Sequence, residues 1–120
     1  MPPRAASKVV SDKFASFSDP TRLRILHLLS GGELCVGDLV TILDMPQPTI
    51  SRHLAYLRRS ALVAARKSGL WMYYSLTQPK SEFHHKLLDC LSACFGAVPE
   101  LKRDAATLRK LRAKGGCCPR

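Results

Sequence analysis

The sequence predicts a mainly α-helical chain interrupted once, past its midpoint, by a β-hairpin. Three observations predict it. Asp19-Pro20 is a strong helix start, with Asp as N-cap and Pro in the first turn where its missing N–H costs nothing. Apolar residues then return at helical spacing as far as Leu57. From Leu62 the pattern changes to short β-forming runs on either side of Ser68-Gly69. At 120 residues the chain has the length of one small domain with a thin core, so support from a partner subunit is expected.

The elements follow in order. Lys8 to Phe17 reads as a short helix with Val9, Val10, Phe14 and Phe17 near one stripe. The helix after Asp19 buries Leu23, Ile25, Leu26 and Leu29, and Gly31-Gly32 ends it. A third helix covers 36–43 through Val36, Leu39, Val40 and Leu43. A fourth, 48–60, follows the Met45-Pro46-Gln47-Pro48 break and carries Ile50, Leu54 and Leu57 on one face. Leu62 to Lys67 and Leu70 to Leu76 make the hairpin, with the single Trp on its return strand. Ser81 can cap a helix reaching about Phe95, with Phe83, Leu87, Cys90, Leu91 and Cys94 as its apolar stripe. Residues 1–99 are read as the folded domain and 100–120 as a basic helix ending in a Gly-Gly-Cys-Cys tail.

Charge points to a polyanion. There are 19 Lys and Arg against 9 Asp and Glu, a net charge of +10. Residues 47–69 hold Arg52, Arg58, Arg59, Arg66 and Lys67 with no carboxylate among them, as either a solvated basic face or a nucleic-acid contact. No apolar run approaches the ~18–20 residues that cross a bilayer, and residues 1–18 lack the apolar centre of a secretion signal, so no membrane partner is expected. A cytoplasmic protein with reduced thiols is the expectation.

Three helices followed by a hairpin make a winged helix-turn-helix. In such a fold one helix inserts polar side chains into the major groove while the hairpin reaches neighbouring backbone. Here 36–43 and 48–60 form the turn unit. Its expected DNA contacts are Gln47, Pro48, Thr49, Ser51, Arg52 and His53 on the reading helix, with Arg66 and Lys67 on the wing. Arg52 suits a guanine edge, and Gln47 an adenine edge or a phosphate.

Four stretches carry a family resemblance: Asp19-Pro20-Thr21-Arg22-Leu23-Arg24-Ile25-Leu26, Glu33-Leu34-Cys35-Val36-Gly37-Asp38-Leu39, Gln47-Pro48-Thr49-Ile50-Ser51-Arg52-His53-Leu54, and Gly69-Leu70-Trp71-Met72-Tyr73-Tyr74-Ser75-Leu76. In order and spacing they resemble the ArsR/SmtB family of homodimeric, metal- and metalloid-responsive repressors, over about residues 10–96. The resemblance implies a homodimer through the first and last core helices, bound to double-stranded operator DNA. It also implies release by trivalent arsenic or antimony. The family usually has Ser where Pro46 stands, which changes the capping of the reading helix.

The arsenic-sensing branch has thiols at Cys35, at the place of Gly37 and near Val40; here only Cys35 remains. Two readings of Cys35 stay open, a thiol activated at a helix N-terminus or a small buried filler. Cys90 and Cys94 share one helix face, as chelating thiols or as filler. Cys117 and Cys118 are adjacent in the tail, where a core role does not fit. Trivalent arsenic and antimony are soft and favour thiolates, so Cys90, Cys94, Cys117 and Cys118 are the expected donors, with Cys35 ranked behind them. The resemblance also bears on zinc: zinc sensors of the family carry an acid/His pair early in the last helix and a second pair further along it. Glu82, His84 and His85 could supply the first, but Phe95 and Gly96 stand where the second belongs, so zinc is not expected. His84 and His85 are read as exposed helix residues, His27 as a packing residue and His53 as a DNA-backbone contact.

The expected function is thus an arsenic- or antimony-responsive repressor. A thiol-redox repressor, released by oxidant or persulfide, is the alternative. A plain architectural DNA binder would have no operator preference. An enzyme is not expected, because the chain has no Cys-x-x-Cys, no phosphate-cradling Gly-rich loop and no strand-led α/β pattern.

Overall fold

The computed structural model describes residues 3–116, and side chains from residue 7 onward. In chain order the elements are α1 (Pro3–Ser18), α2 (Pro20–Leu29), β1 (Leu34–Cys35), α3 (Val36–Leu43), α4 (Gln47–Arg59), β2 (Val63–Ser68), β3 (Trp71–Leu76), α5 (Glu82–Ala93) and α6 (Pro99–Ala113). This is a winged helix-turn-helix: a helical body with a small antiparallel sheet as its wing.

Local chemistry sets the boundaries. Asp19 caps α2, its Oδ2 accepting from the Arg22 N–H at 3.0 Å. Cys35 is the N-cap of α3: its Sγ accepts from the Asp38 N–H at 3.4 Å while Asp38 returns a carboxylate to the Cys35 N–H at 3.3 Å, the reciprocal pattern of a capping box. Pro46 heads α4 with no side-chain cap bond. Ser81 caps α5 through the His84 N–H at 3.1 Å. At the end of α4, Ala61 takes the left-handed conformation at φ 61, and Leu62 N–H closes onto Leu57 O at 3.1 Å.

The core is built from one face of each helix. Ile25 and Leu26 of α2, Leu39 of α3, and Ile50 and Leu57 of α4 are fully buried, and Leu91 of α5 and Leu108 of α6 complete the cluster. The basic segment after Pro99 thus packs as part of the body, with Leu101, Asp104 and Leu108 buried on α6. Arg24 of α2 fixes it there, its Nε and Nη2 each 2.9 Å from an oxygen of Asp104.

The sheet has one more strand than the sequence suggested. Its order is β1-β3-β2, with Leu34 opposite Tyr74 and Cys35 opposite Tyr73, while β2 pairs β3 from Val63–Leu76 to Ser68–Trp71. The hairpin turn is Gly69-Leu70, with Gly69 at φ 62, one residue later than expected.

Candidate nucleic-acid interface and thiol sites

Helix α4 holds itself on the core with Ile50, Leu54 and Leu57 and leaves its other face to solvent. Gln47, Pro48, Ser51 and Arg52 are exposed there, and Thr49 and His53 are half-buried at its margin. A helix that turns a short polar face with one guanidinium outward can enter a major groove. The His53 Nδ1 lies 3.8 Å from Asp19 Oδ2, so its ring is tied to the start of α2. Burial acts to raise the Asp19 carboxyl, but the Arg22 N–H and guanidinium, with His53, outweigh it and hold Asp19 below its ordinary value. Tyr56, farther along α4, has the Arg22 guanidinium 4.0 Å from its ring centroid and Arg59 at 5.7 Å.

On the wing, Lys67 is exposed, whereas Arg66 is already engaged. Its Nη2 is 2.7 Å and its Nε 3.0 Å from the two oxygens of Glu33, and its guanidinium lies 4.6 Å from the Tyr73 ring centroid. Hydrogen bonding to Glu33 raises the Arg66 pKa further. The window 47–69 has no carboxylate in sequence, but the fold brings Glu33 to it.

One histidine expectation is corrected. His85 is exposed, but His84 is 1% exposed, enclosed between α1, the end of β3 and the start of α5. Its Nδ1 accepts from the Lys80 N–H at 3.3 Å, which places the ring proton on Nε2, 3.3 Å from Thr77 Oγ1; Thr77 in turn donates to Ala61 O at 2.7 Å. Burial, then the Lys13 and Lys80 charges, lower the His84 pKa. The helical stripe through Phe83 and Leu87 gave no sign of this, because His84 is enclosed by residues from other elements.

The cysteines fall into separate places. Cys90 and Cys94 are free thiols near the end of α5, Cys90 half-buried and Cys94 exposed. A hydrogen bond with Cys94, with burial second, pushes the Cys90 thiol above its ordinary value. Cys35 is fully buried beside Tyr73 and is held in a disulfide. Cys117 and Cys118 lie outside the described residues. Among the described residues no three His, Cys, Asp or Glu side chains gather as a metal-binding group.

Fold and exposed helix together define a DNA-binding transcriptional regulator of the winged helix-turn-helix class, and such regulators are not enzymes. Residues 19–65 match the bacterial regulatory protein, arsR family. The chain is 51% identical over 77 residues to the arsenical resistance operon repressor of Escherichia coli, covering 63% of this chain and 66% of that protein. It is 39% identical over 85 residues to the arsenical resistance operon repressor of Staphylococcus xylosus, covering 71% of this chain and 82% of that protein. Among solved structures it is similar to reduced HlyU from Vibrio cholerae, with a TM-score of 0.64 and 31% identity over 76% of this chain and 95% of that one. It is also similar to the AntR antimony-specific transcriptional repressor, with a TM-score of 0.61 and 29% identity over 78% of this chain and 81% of that one. The chain belongs to the ArsR family, in its arsenic branch.

Proposed function

We propose that this protein is a homodimeric repressor that binds operator DNA and releases it when trivalent arsenic or antimony is taken up by cysteine thiolates. The observation that carries the DNA half is the outward face of α4, with Gln47, Ser51 and Arg52 free for a groove while Ile50, Leu54 and Leu57 hold the helix on the core. Thr49, Pro48 and His53 border that face, and Lys67 with Arg66 extends it along the wing.

The dimer reading is supported by apolar surface left on α1 and α5. Val9, Val10 and Phe14 are exposed, and the Phe14 ring lies 5.3 Å from that of Phe83, making one aromatic patch shared by the two helices. A second copy of the chain covers this patch and doubles the reading helices for an operator with two half-sites.

The effector reading rests on the relatives named for arsenical resistance and on AntR, named as antimony-specific. The donors are drawn from Cys90, Cys94, Cys117 and Cys118, with the disulfide-bonded Cys35 ranked behind them. Release requires the ion to favour the DNA-incompetent dimer by about 1–3 kcal/mol. As a DNA-binding regulator the protein works in the cytoplasm.

A second reading, release by thiol oxidation, is favoured by one observation: Cys35 is in a disulfide. A reporter gene placed behind DNA from upstream of the protein's own gene separates the two. Induction by arsenite or antimonite, with silence under oxidant alone, supports metalloid sensing. Induction by oxidant or polysulfide and not by metalloid supports the redox switch.

A further inference from the structure

The wing ends in an apolar point. Gly69 and Leu70 make the two-residue turn between the paired Ser68 and Trp71. Leu70 is 97% exposed, more than any other large hydrophobic side chain among the described residues, and Trp71 next to it is 41% exposed. Gly69 takes the positive φ of this turn, at 62, the pattern of a hairpin turn with glycine at its first central position. Such a turn needs no apolar side chain at its second position, where small polar residues serve. Leu70 therefore adds nothing to the core and nothing to the turn.

Its surroundings are those of a nucleic-acid contact. Lys67, exposed and opposite Met72, stands three residues before it, and no carboxylate lies in the sequence between Asp44 and Glu82. Strand β2 leaves directly after α4, and its six residues at about 3.3 Å each carry the tip about 20 Å from that helix end. Half a helical turn of duplex DNA is about 17 Å. With α4 in a major groove, the tip reaches across one backbone to the neighbouring minor groove. That groove is about 6 Å wide and distinguishes bases poorly by hydrogen bonds. An apolar side chain entering it leaves water by sliding between base pairs.

We propose that Leu70 is an apolar wedge, set by the wing between two base pairs of the minor groove beside each half-site, where it unstacks that step and bends the DNA. Lys67 holds the adjoining phosphates. The inference rests on the DNA-binding reading above and adds to it an activity, bending, and a source of specificity that needs no hydrogen bond to a base. Pyrimidine–purine steps unstack readily and A-tracts are stiff, so the step beneath the wing is read by its deformability.

The test uses the reduced full-length protein at saturation on a duplex from upstream of its own gene, labelled at both ends for Förster transfer. The wild type is expected to bring the ends together by a bend within the range of about 20–90° that inserted side chains produce. Leu70→Ser is expected to bind and leave the duplex nearly straight, while Leu70→Met, still apolar, keeps the bend. With Leu70 outside the core, neither change disturbs the fold. Permanganate oxidation of unstacked thymine locates the step, with enhanced reactivity under the wild type and none under Leu70→Ser. Replacing that step by an A-tract should weaken the wild type about tenfold and Leu70→Ser less than about twofold. A wild-type complex that stays straight, or a bend that Leu70→Ser retains, overturns the wedge and leaves DNA binding in place. A wild type that binds no duplex overturns both. A lower oligomeric state of Leu70→Ser in sedimentation, with the bend unchanged, assigns the tip to a protein contact and overturns the wedge.

Discussion

Arg24 and Asp104, eighty residues apart in the chain, meet in a two-point salt bridge with both nitrogen–oxygen distances at 2.9 Å. Asp104 is nearly buried, and Glu100 adds a second carboxylate oxygen 3.2 Å from Arg24 Nε. This contact makes the helix after the winged unit part of the same body, packed on α2 and α3.

Removing the inner carboxylate therefore loosens α6 from α2. Asp104→Ala is expected to lower unfolding stability by about 1.5–3 kcal/mol, because a charged hydrogen-bond pair is broken and a partly buried guanidinium loses its main partner. Glu100→Ala, at a half-exposed position, should cost less than about 1 kcal/mol. Urea denaturation of both variants checks the ranking, and equal losses would contradict it.

Ala61 occupies a left-handed position that a Cβ disfavours, at φ 61. Ala61→Gly is expected to stabilise the protein by about 1 kcal/mol, since the left-handed penalty exceeds the added freedom of glycine in the unfolded chain. Thermal unfolding reads the sign directly. A drop in Tm would show that the penalty is relieved elsewhere.

His84 makes stability depend on pH. Its folded pKa lies below the ordinary 6.5, through burial first and then the Lys13 and Lys80 charges. Between the folded and unfolded values the unfolded chain binds more protons, so the contribution is complete above 6.5 and is lost as pH falls through the folded value. Protonation at Nδ1 also removes the acceptor that holds the Lys80 N–H. Comparing Tm at about pH 7.5 and about pH 5.5, His84→Gln should show a smaller acid-side loss than the parent. Some loss persists, because burial lowers His27 in the same direction. An unchanged pH profile would contradict the role given to His84.

The α4 face and the wing are expected to contribute differently to DNA binding. Arg52→Ala should cost about 1–3 kcal/mol and relax base preference at one position of each half-site. Lys67→Ala should weaken binding on all sequences and reduce the salt slope by about 1. Glu33→Gln frees Arg66 for phosphate and should steepen the salt slope, the opposite sign to Lys67→Ala. Salt-dependent binding isotherms on operator and random DNA measure all three.

Much of the fold is legible in the sequence because its signals are local. Asp19-Pro20, the stripe Ile50–Leu54–Leu57 and the Ser81 cap each act within a few residues and mark a real boundary or face, and the Ser68-Gly69 signal finds the hairpin with its turn one residue early. What the sequence hides is made by distant partners. β1 is two residues long and exists through its pairing with Tyr73 and Tyr74. Arg66 looks like a free cation until Glu33, 33 residues earlier, is brought to it. His84 is enclosed through Thr77, Lys80 and α1, none of which its helix periodicity registers. The candidate reading helix was legible almost residue by residue, because its buried face alone determines which side chains turn outward.

The most direct measurement of the central claim is fluorescence anisotropy of the reduced full-length protein on DNA from upstream of its own gene, titrated with arsenite. The account predicts tight binding in the absence of arsenite and a fall to the anisotropy of free DNA as arsenite reaches the micromolar range. Anisotropy that stays at the bound value with arsenite saturating the thiols would contradict it.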